Sequence, residues 1–306
     1  MWKNICLAAF SLNRYAGSNL ELMFSRVRTY ASFVRFSHTV FALPFALAGA
    51  LLAARHTPVR WSTVGWILAA MVAARSAAMG FNRLVDARFD ALNPRTSSRE
   101  LPSGVMTARE AAVFVIAASV VFVFAASRLS FLCLVLSPLA LAIVFWYSLA
   151  KRFTTWTQLF LGLAMAVAPV GGWLAVGGRA GWEPWLLGLA IGTWVGGFDV
   201  LYACQDIEFD RVQRLRSIPV RFGVPTALAV SRFMHVVTVV CLIALSFVTP
   251  LGRIYLVGVA VVAAMLAFEQ SLVRADDLSQ VKRAVDLNGY VGILYLLVLA
   301  ASIYGE

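Results

Sequence analysis

A chain of 306 residues, 61% hydrophobic and 13% charged, cannot clothe a soluble surface, because soluble domains carry about 45–50% apolar and about 25% charged residues. A soluble enzyme, a disordered polymer and a disulfide scaffold are set aside in favour of a polytopic membrane protein, and at about 20 residues per span the length admits about nine crossings. The net charge of +11 looks like a nucleic-acid signal until the charges are located.

In chain order, residues 1–33 read as a cytoplasmic N-terminal segment, and 34–306 as one transmembrane domain. The apolar stretch from Ile5 to Leu12 is short, is followed by Arg14 and lacks a small-residue cleavage site, so no removable signal peptide is read there. The segment is either an amphipathic helix or an over-extended start with Met23 as the initiator. Nine apolar runs follow, near 37–54, 61–81, 110–127, 129–148, 156–176, 184–204, 226–248, 253–270 and 286–304. Pro44, Pro138 and Pro169 lie within or at the edges of these runs, which spanning helices tolerate where neighbours satisfy the freed backbone. Runs of this length with so few charges are helices, so the expected architecture is all-α.

The basic residues sort by loop. The N-terminus and the loops after spans 2, 4, 6 and 8 carry nineteen Lys and Arg, the opposite loops carry five, and Arg75 and Arg232 fall within spans. The positive-inside rule places the N-terminus and the richer loops in the cytoplasm. The basicity is therefore topological, and no nucleic-acid partner is expected. Cys6, Cys133, Cys204 and Cys241, like His38, His56 and His235, are too scattered for a zinc site or a disulfide framework.

Two acidic loops look alike. After span 2 the chain reads Asn82-Arg-Leu-Val-Asp86-Ala-Arg-Phe-Asp90, and after span 6 it reads Tyr202-Ala-Cys-Gln-Asp206-Ile-Glu-Phe-Asp210. The DxxFD core recurs at an offset of 120 residues, which suggests two related halves, each delivering an acidic cluster to the cytoplasmic face. Spacing of four puts Asn82, Asp86 and Asp90 on one helix face. Oxygen ligands of this kind suit Mg²⁺, an ion usually shared with substrate phosphates, so two facing clusters could hold a pair of Mg²⁺ ions and a diphosphate. Plain solvated helix extensions would explain one such cluster, but they explain two matching ones on the same side poorly.

Arg95 and Arg99 lie just beyond the first cluster, Lys151 follows Tyr147 at the end of span 4, and Arg216 lies beyond the second. For Arg99, Lys151 and Arg216 phosphate binding is preferred over a role as interfacial anchors, whereas Arg109 and Arg152 read as anchors. Arg75 sits inside span 2, about two turns before Asn82, where a charge costs at least a few kcal/mol and normally faces a cavity or partner. Asp199, near the end of span 6, is a candidate counter-charge.

These loops resemble the UbiA superfamily of membrane prenyltransferases. NRLVDARFDALNPRTSSRELPSG (82–104) is similar to the family's NDxxDxxxD loop with its RTxxRPLPSG tail, and WYSLAKRFT (146–154) to its YxxxK segment. DVLYACQDIEFDRVQRLRSIPVRFG (199–223) resembles the second Asp-rich loop, and LNGYVG (287–292) a stretch at the last span. Glu100 stands where the family often has Pro, Arg83 where an acidic residue is common, Arg214 where Gly is frequent, and His38 in a place often part of DKP. The LNPRT and YACQDxEFD wording is closer to the branch associated with menaquinone formation through futalosine.

The resemblance implies a bundle of about nine transmembrane helices, in a bacterial inner membrane, that moves a polyprenyl group from polyprenyl diphosphate to a ring carbon of an aromatic acid. That acid would be 4-hydroxybenzoate or 1,4-dihydroxy-6-naphthoate. It further implies Mg²⁺ on Asn82, Asp86, Asp90, Asp206 and Asp210, and the diphosphate on Arg99, Tyr147, Lys151 and Arg216. Arg75 would hold the acceptor's carboxylate, with Asp199 or Tyr202 orienting it, and Asp199, Tyr202 and Lys151 form the catalytic set. Haem O-type and lipid-forming prenyl transfer are the alternatives within the family. A secondary transporter fits less well, since its charged site belongs near the midplane and these carboxylates gather at the helix ends.

Overall fold

The computed structural model describes residue 26, residues 28–34 and residues 36–305. Most of the segment 1–33, with Met23 and Arg35, lies outside the described residues. The described residues form α1 (Phe36–Ala54), α2 (Trp61–Leu92), α3 (Ala108–Leu129), α4 (Phe131–Ala150), α5 (Thr157–Val176) and α6 (Glu183–Ala203). A 3₁₀ turn (Cys204–Asp206) and the short α7 (Ile207–Val212) lead to α8 (Ile218–Val248), α9 (Gly252–Ser271), the short α10 (Val281–Asp286) and α11 (Asn288–Tyr304). Among the described residues eight helical segments are long and apolar enough to cross a membrane, and Leu43–Ala54 forms a shorter apolar helix, in line with the expected nine.

One helix outruns its apolar span, and another is kinked near the start of its own. The run 61–81 continues as helix to Leu92, because neither Gly nor Pro interrupts residues 82–92 and their polar groups find partners described below. The helix expected over 226–248 is preceded by a short helical stretch from Ile218, the two being separated by a kink. There Ser217 caps the start, accepting from the Val220 amide, and Gly223 at φ 79° breaks the helix at a kink, beyond which it resumes near Pro225. A left-handed residue without a Cβ costs little at such a break.

The outer faces carry apolar side chains with no protein against them. Val113, Ile116 and Val120 of α3 and Phe131, Val135 and Leu139 of α4 are exposed, as the surface of a lipid-embedded protein requires. Inside, α6 is the central helix: Leu187, Ala190, Ile191, Trp194, Val195, Val200 and Leu201 are buried, and it packs along α5 and α8. Close crossings use small residues, since lipid-embedded helices gain from tight packing rather than from expelling water. Gly49 of α1 lies on the Pro169 carbonyl of α5, and reciprocally Gly172 of α5 lies on the Ala46 carbonyl of α1. This packing brings the C-terminal ends of α2, α4 and α6 and the start of α8 together at one end of the bundle.

Candidate active site

The polar end of α2 carries the first cluster with the expected spacing. The buried Asp86 carboxylate accepts from Lys151 Nζ (2.7 Å) through Oδ2 and from Arg152 Nη2 (2.8 Å) through Oδ1, and Asn82 Nδ2 lies 3.4 Å from Oδ2. Lys151 caps the C-terminus of α4. Arg152 also donates to the carbonyls of Val85 (2.7 Å) and Ser148 (3.0 Å), and both cations lie over the Phe89 ring. Four residues on, Asp90 accepts from Arg99 Nη1 through both oxygens at 2.8 Å. Arg99 can reach back because the chain after α2 winds through tight turns, with Thr96 and Ser97 amides donating to the Asn93 carbonyl and Thr96 Oγ1 to the Asp90 carbonyl.

The second cluster is built differently. The helix breaks at the 3₁₀ turn, so Asp206 ends that turn and Asp210 sits on α7, whereas the first cluster rides one unbroken helix. Arg95, from the loop after α2, crosses to the other half of the chain: its Nη2 donates to both Asp206 oxygens (2.8 and 2.6 Å), its Nη1 donates to the Tyr202 hydroxyl, and its guanidinium lies 5.2 Å from the Tyr202 ring centre. Arg214 adopts φ 55°, turning the chain so that the Leu215 amide donates to the Asp210 carbonyl and the Arg216 amide to the Lys151 carbonyl. Arg216 also donates to the Phe153 carbonyl (2.7 Å). Asp199 and Asp210 make no hydrogen bond or ion pair through their side chains among the described residues.

These groups line one open cavity of about 260 Å³. Every site residue expected from the sequence borders it except Arg75. Arg75 forms no ion pair with Asp199, so the proposed counter-charge is corrected. Arg75 interacts electrostatically with Tyr147, which does line the cavity, and the buried Nε of Arg75 has no hydrogen-bond partner among the described residues. The reading of Arg152 as a membrane anchor is also corrected, since Asp86 holds it. Arg95 was given no specific role, and Gln158, whose Oε1 accepts from the Ile218 amide while it borders the cavity, was missed. No local signal separates Arg152 from an anchor, because its partner is 66 positions away.

The donor set is one of hard oxygens, four carboxylates and an amide, which is the chemistry Mg²⁺ takes. Among the described residues no three acidic, His or Cys side chains gather closely enough to share one ion, and cations engage Asp86, Asp90 and Asp206. A Mg²⁺ ion held by one or two carboxylates, its waters and substrate phosphate needs no such trio, so the residues fit the ion in kind. Anionic phosphate is also what Arg95, Arg99, Lys151 and Arg152 would take in exchange for their present partners.

A helical membrane bundle with two acidic loops and a ring of cations at one end defines a class of membrane enzyme. The model of the UbiA prenyltransferase family matches residues 42–296, and the chain belongs to this family of prenyl-transferring enzymes. It is 31% identical over 242 residues to the 4-hydroxybenzoate octaprenyltransferase of Cronobacter sakazakii, covering 78% of this chain and 83% of that one. To the enzyme of the same name from Vibrio campbellii it is 28% identical over 254 residues, covering 83% and 89%. Among solved structures, the apo form of a UbiA homolog from Aeropyrum pernix K1 matches with a TM-score of 0.79 and 37% identity over 87% of this chain and 97% of that one. A UbiA homolog from Archaeoglobus fulgidus, bound to GPP and Mg²⁺, shares the fold at a TM-score of 0.69 and 19% identity over 90% and 99%.

Proposed function

We propose that the protein transfers a polyprenyl group from polyprenyl diphosphate to a ring carbon of an aromatic acid in quinone biosynthesis, 4-hydroxybenzoate being favoured by the names of its relatives and 1,4-dihydroxy-6-naphthoate by its loop wording. One observation carries this reading: two acidic clusters from opposite halves of the chain and five Arg and Lys side chains border one cavity or pair with its carboxylates at the end of a lipid-embedded bundle. Such a cavity suits a molecule with an anionic head and a long apolar tail.

In this reading Asn82, Asp86, Asp90, Asp206 and Asp210 hold Mg²⁺, which when bound supplies positive charge to the phosphate oxygens. Arg99, Tyr147, Lys151 and Arg216 bind the diphosphate, and Arg95 and Arg152 join them. The allylic C–O bond breaks, its electron pair leaves with diphosphate, and the cations stabilise the charge that develops there. The acceptor ring carbon forms the new C–C bond and loses its proton. Asp199, facing the cavity without an ion pair among the described residues, is the base available for that proton, and Tyr202 orients the acceptor beside it. The unpartnered Nε of Arg75 supports its assignment to the acceptor's carboxylate. The bacterial source of the relatives supports a bacterial inner-membrane protein, and the charge asymmetry of the loops supports placing this end, and residues 1–33, in the cytoplasm.

Membranes containing the protein, given labelled prenyl diphosphate and Mg²⁺, are expected to prenylate one of the two acids and to stop when EDTA is added. Transfer to neither acid rejects the aromatic reading, and transfer undiminished by EDTA rejects the metal.

A further inference from the structure

Arg83 and Glu100 are two of the positions at which the chain departs from its family's wording, and in the structure they bond to each other. Arg83 Nη1 donates to Glu100 Oε2 at 2.6 Å, with side chains only 5% and 12% exposed. The other Glu100 oxygen accepts from Ser32 Oγ at 2.6 Å, and the Arg83 guanidinium lies 5.9 Å from the Phe33 ring centre. Buried Phe33, Val34, Met106 and Ala111 form an apolar cluster beside the pair. Arg83 and Asp90 are seven residues apart, on one stripe of α2 two turns long. Their partners, Glu100 and Arg99, are neighbours in the following loop. The two ion pairs are thus successive rungs between one helix face and one loop.

We infer that Arg83 and Glu100 are a positioning pair that sets the loop carrying Arg95 and Arg99 against the first acidic cluster, and so tunes the binding of the prenyl diphosphate. The inference rests on the assignment of Arg95 and Arg99 to that diphosphate. Neither Arg83 nor Glu100 lines the cavity, so the pair acts through Arg99: with the Asp90 carboxylate engaged elsewhere, the Glu100 rung still ties the loop to α2. Because the pair is shielded from water, removing Arg83 leaves the Glu100 carboxylate without its cation, and removing Glu100 cuts the bond from Arg83 to the loop, so in either case the loop must shift.

The test is a set of steady-state measurements on the full-length protein in membranes. Arg83→Ala and Glu100→Ala should each raise KM for the prenyl diphosphate about tenfold, and the double variant should be no worse than the weaker single, as coupled partners require. The acceptor's KM should stay within about twofold. Glu100→Gln, which keeps the shape and the Ser32 bond, covers a failure of the alanine variants to fold and should raise the same KM about threefold. Arg99→Ala is the control. If it raises the diphosphate KM while the Arg83 and Glu100 variants, Glu100→Gln included, leave it unchanged, the positioning role is overturned and the proposed function stands. If Arg99→Ala leaves that KM unchanged, the diphosphate assignment fails and the inference with it.

Discussion

At the scale of single residues, burial separates the charged groups into those that neutralise one another and those left waiting for a partner. Asp86 is saturated by Lys151 and Arg152, and Asp90 by Arg99, whereas Asp199 and the Nε of Arg75 have no partner among the described residues. A guanidinium with a bare buried donor inside a spanning helix is costly unless something anionic meets it. Arg75→Ala is therefore expected to raise KM for the aromatic acid by about tenfold or more and to leave KM for the diphosphate nearly unchanged, read by steady-state kinetics with each substrate varied in turn. The reverse pattern would assign Arg75 to the diphosphate, through its neighbour Tyr147.

Much of this chemistry was legible in the sequence, for a physical reason. A carboxylate in a lipid-embedded chain has few places to go, so Asp86, Asp90, Asp206 and Asp210 stand out at the ends of apolar runs, and a spacing of four fixes the shared face of the first cluster. Pairings were not legible. Arg95 meets Asp206 across 111 positions and Arg152 meets Asp86 across 66, and only the packing of the helices decides which cation reaches which carboxylate. Arg75 and Asp199 failed as a pair for the same reason: one lies inside its span and the other near the end of its own, and the sequence cannot orient their faces toward one another.

Among the elements, the crossing of α1 and α5 is made by glycines at carbonyl contact. Apolar runs predicted the spans, but this close approach depends on the absence of a side chain at single positions. A Cβ on Gly172 would meet the Ala46 backbone carbonyl of α1, while the adjacent Gly171 has open space around its Cβ position. Gly172→Val should therefore destabilise the folded protein by about 1–3 kcal/mol, and Gly171→Val should be close to neutral. Thermal unfolding of both variants in the same detergent compares them. Equal losses would mean that α1 and α5 do not cross at this glycine. The end of α2 shows the opposite limit of hydropathy: the helix continues past its apolar run on the strength of its ion pairs, whereas the left-handed Gly223 kinks α8 close to where its apolar run begins.

For the whole molecule, the apolar shell and the positive charge are parts of one arrangement. Helices α2, α4 and α6 deliver Asp86, Lys151 and Tyr202 to the same end of the bundle, and Arg95 joins the loop of one half to the acidic turn of the other. Neither half holds a complete site, so both acidic clusters should be indispensable. The most direct measurement is Mg²⁺-dependent prenyl transfer by membranes carrying Asp86→Ala or Asp206→Ala at matched protein levels. Each variant is expected to lose activity by about a hundredfold or more, the scale on which preorganised charge at a reacting group acts. Full activity in either variant would contradict a site shared between the two clusters.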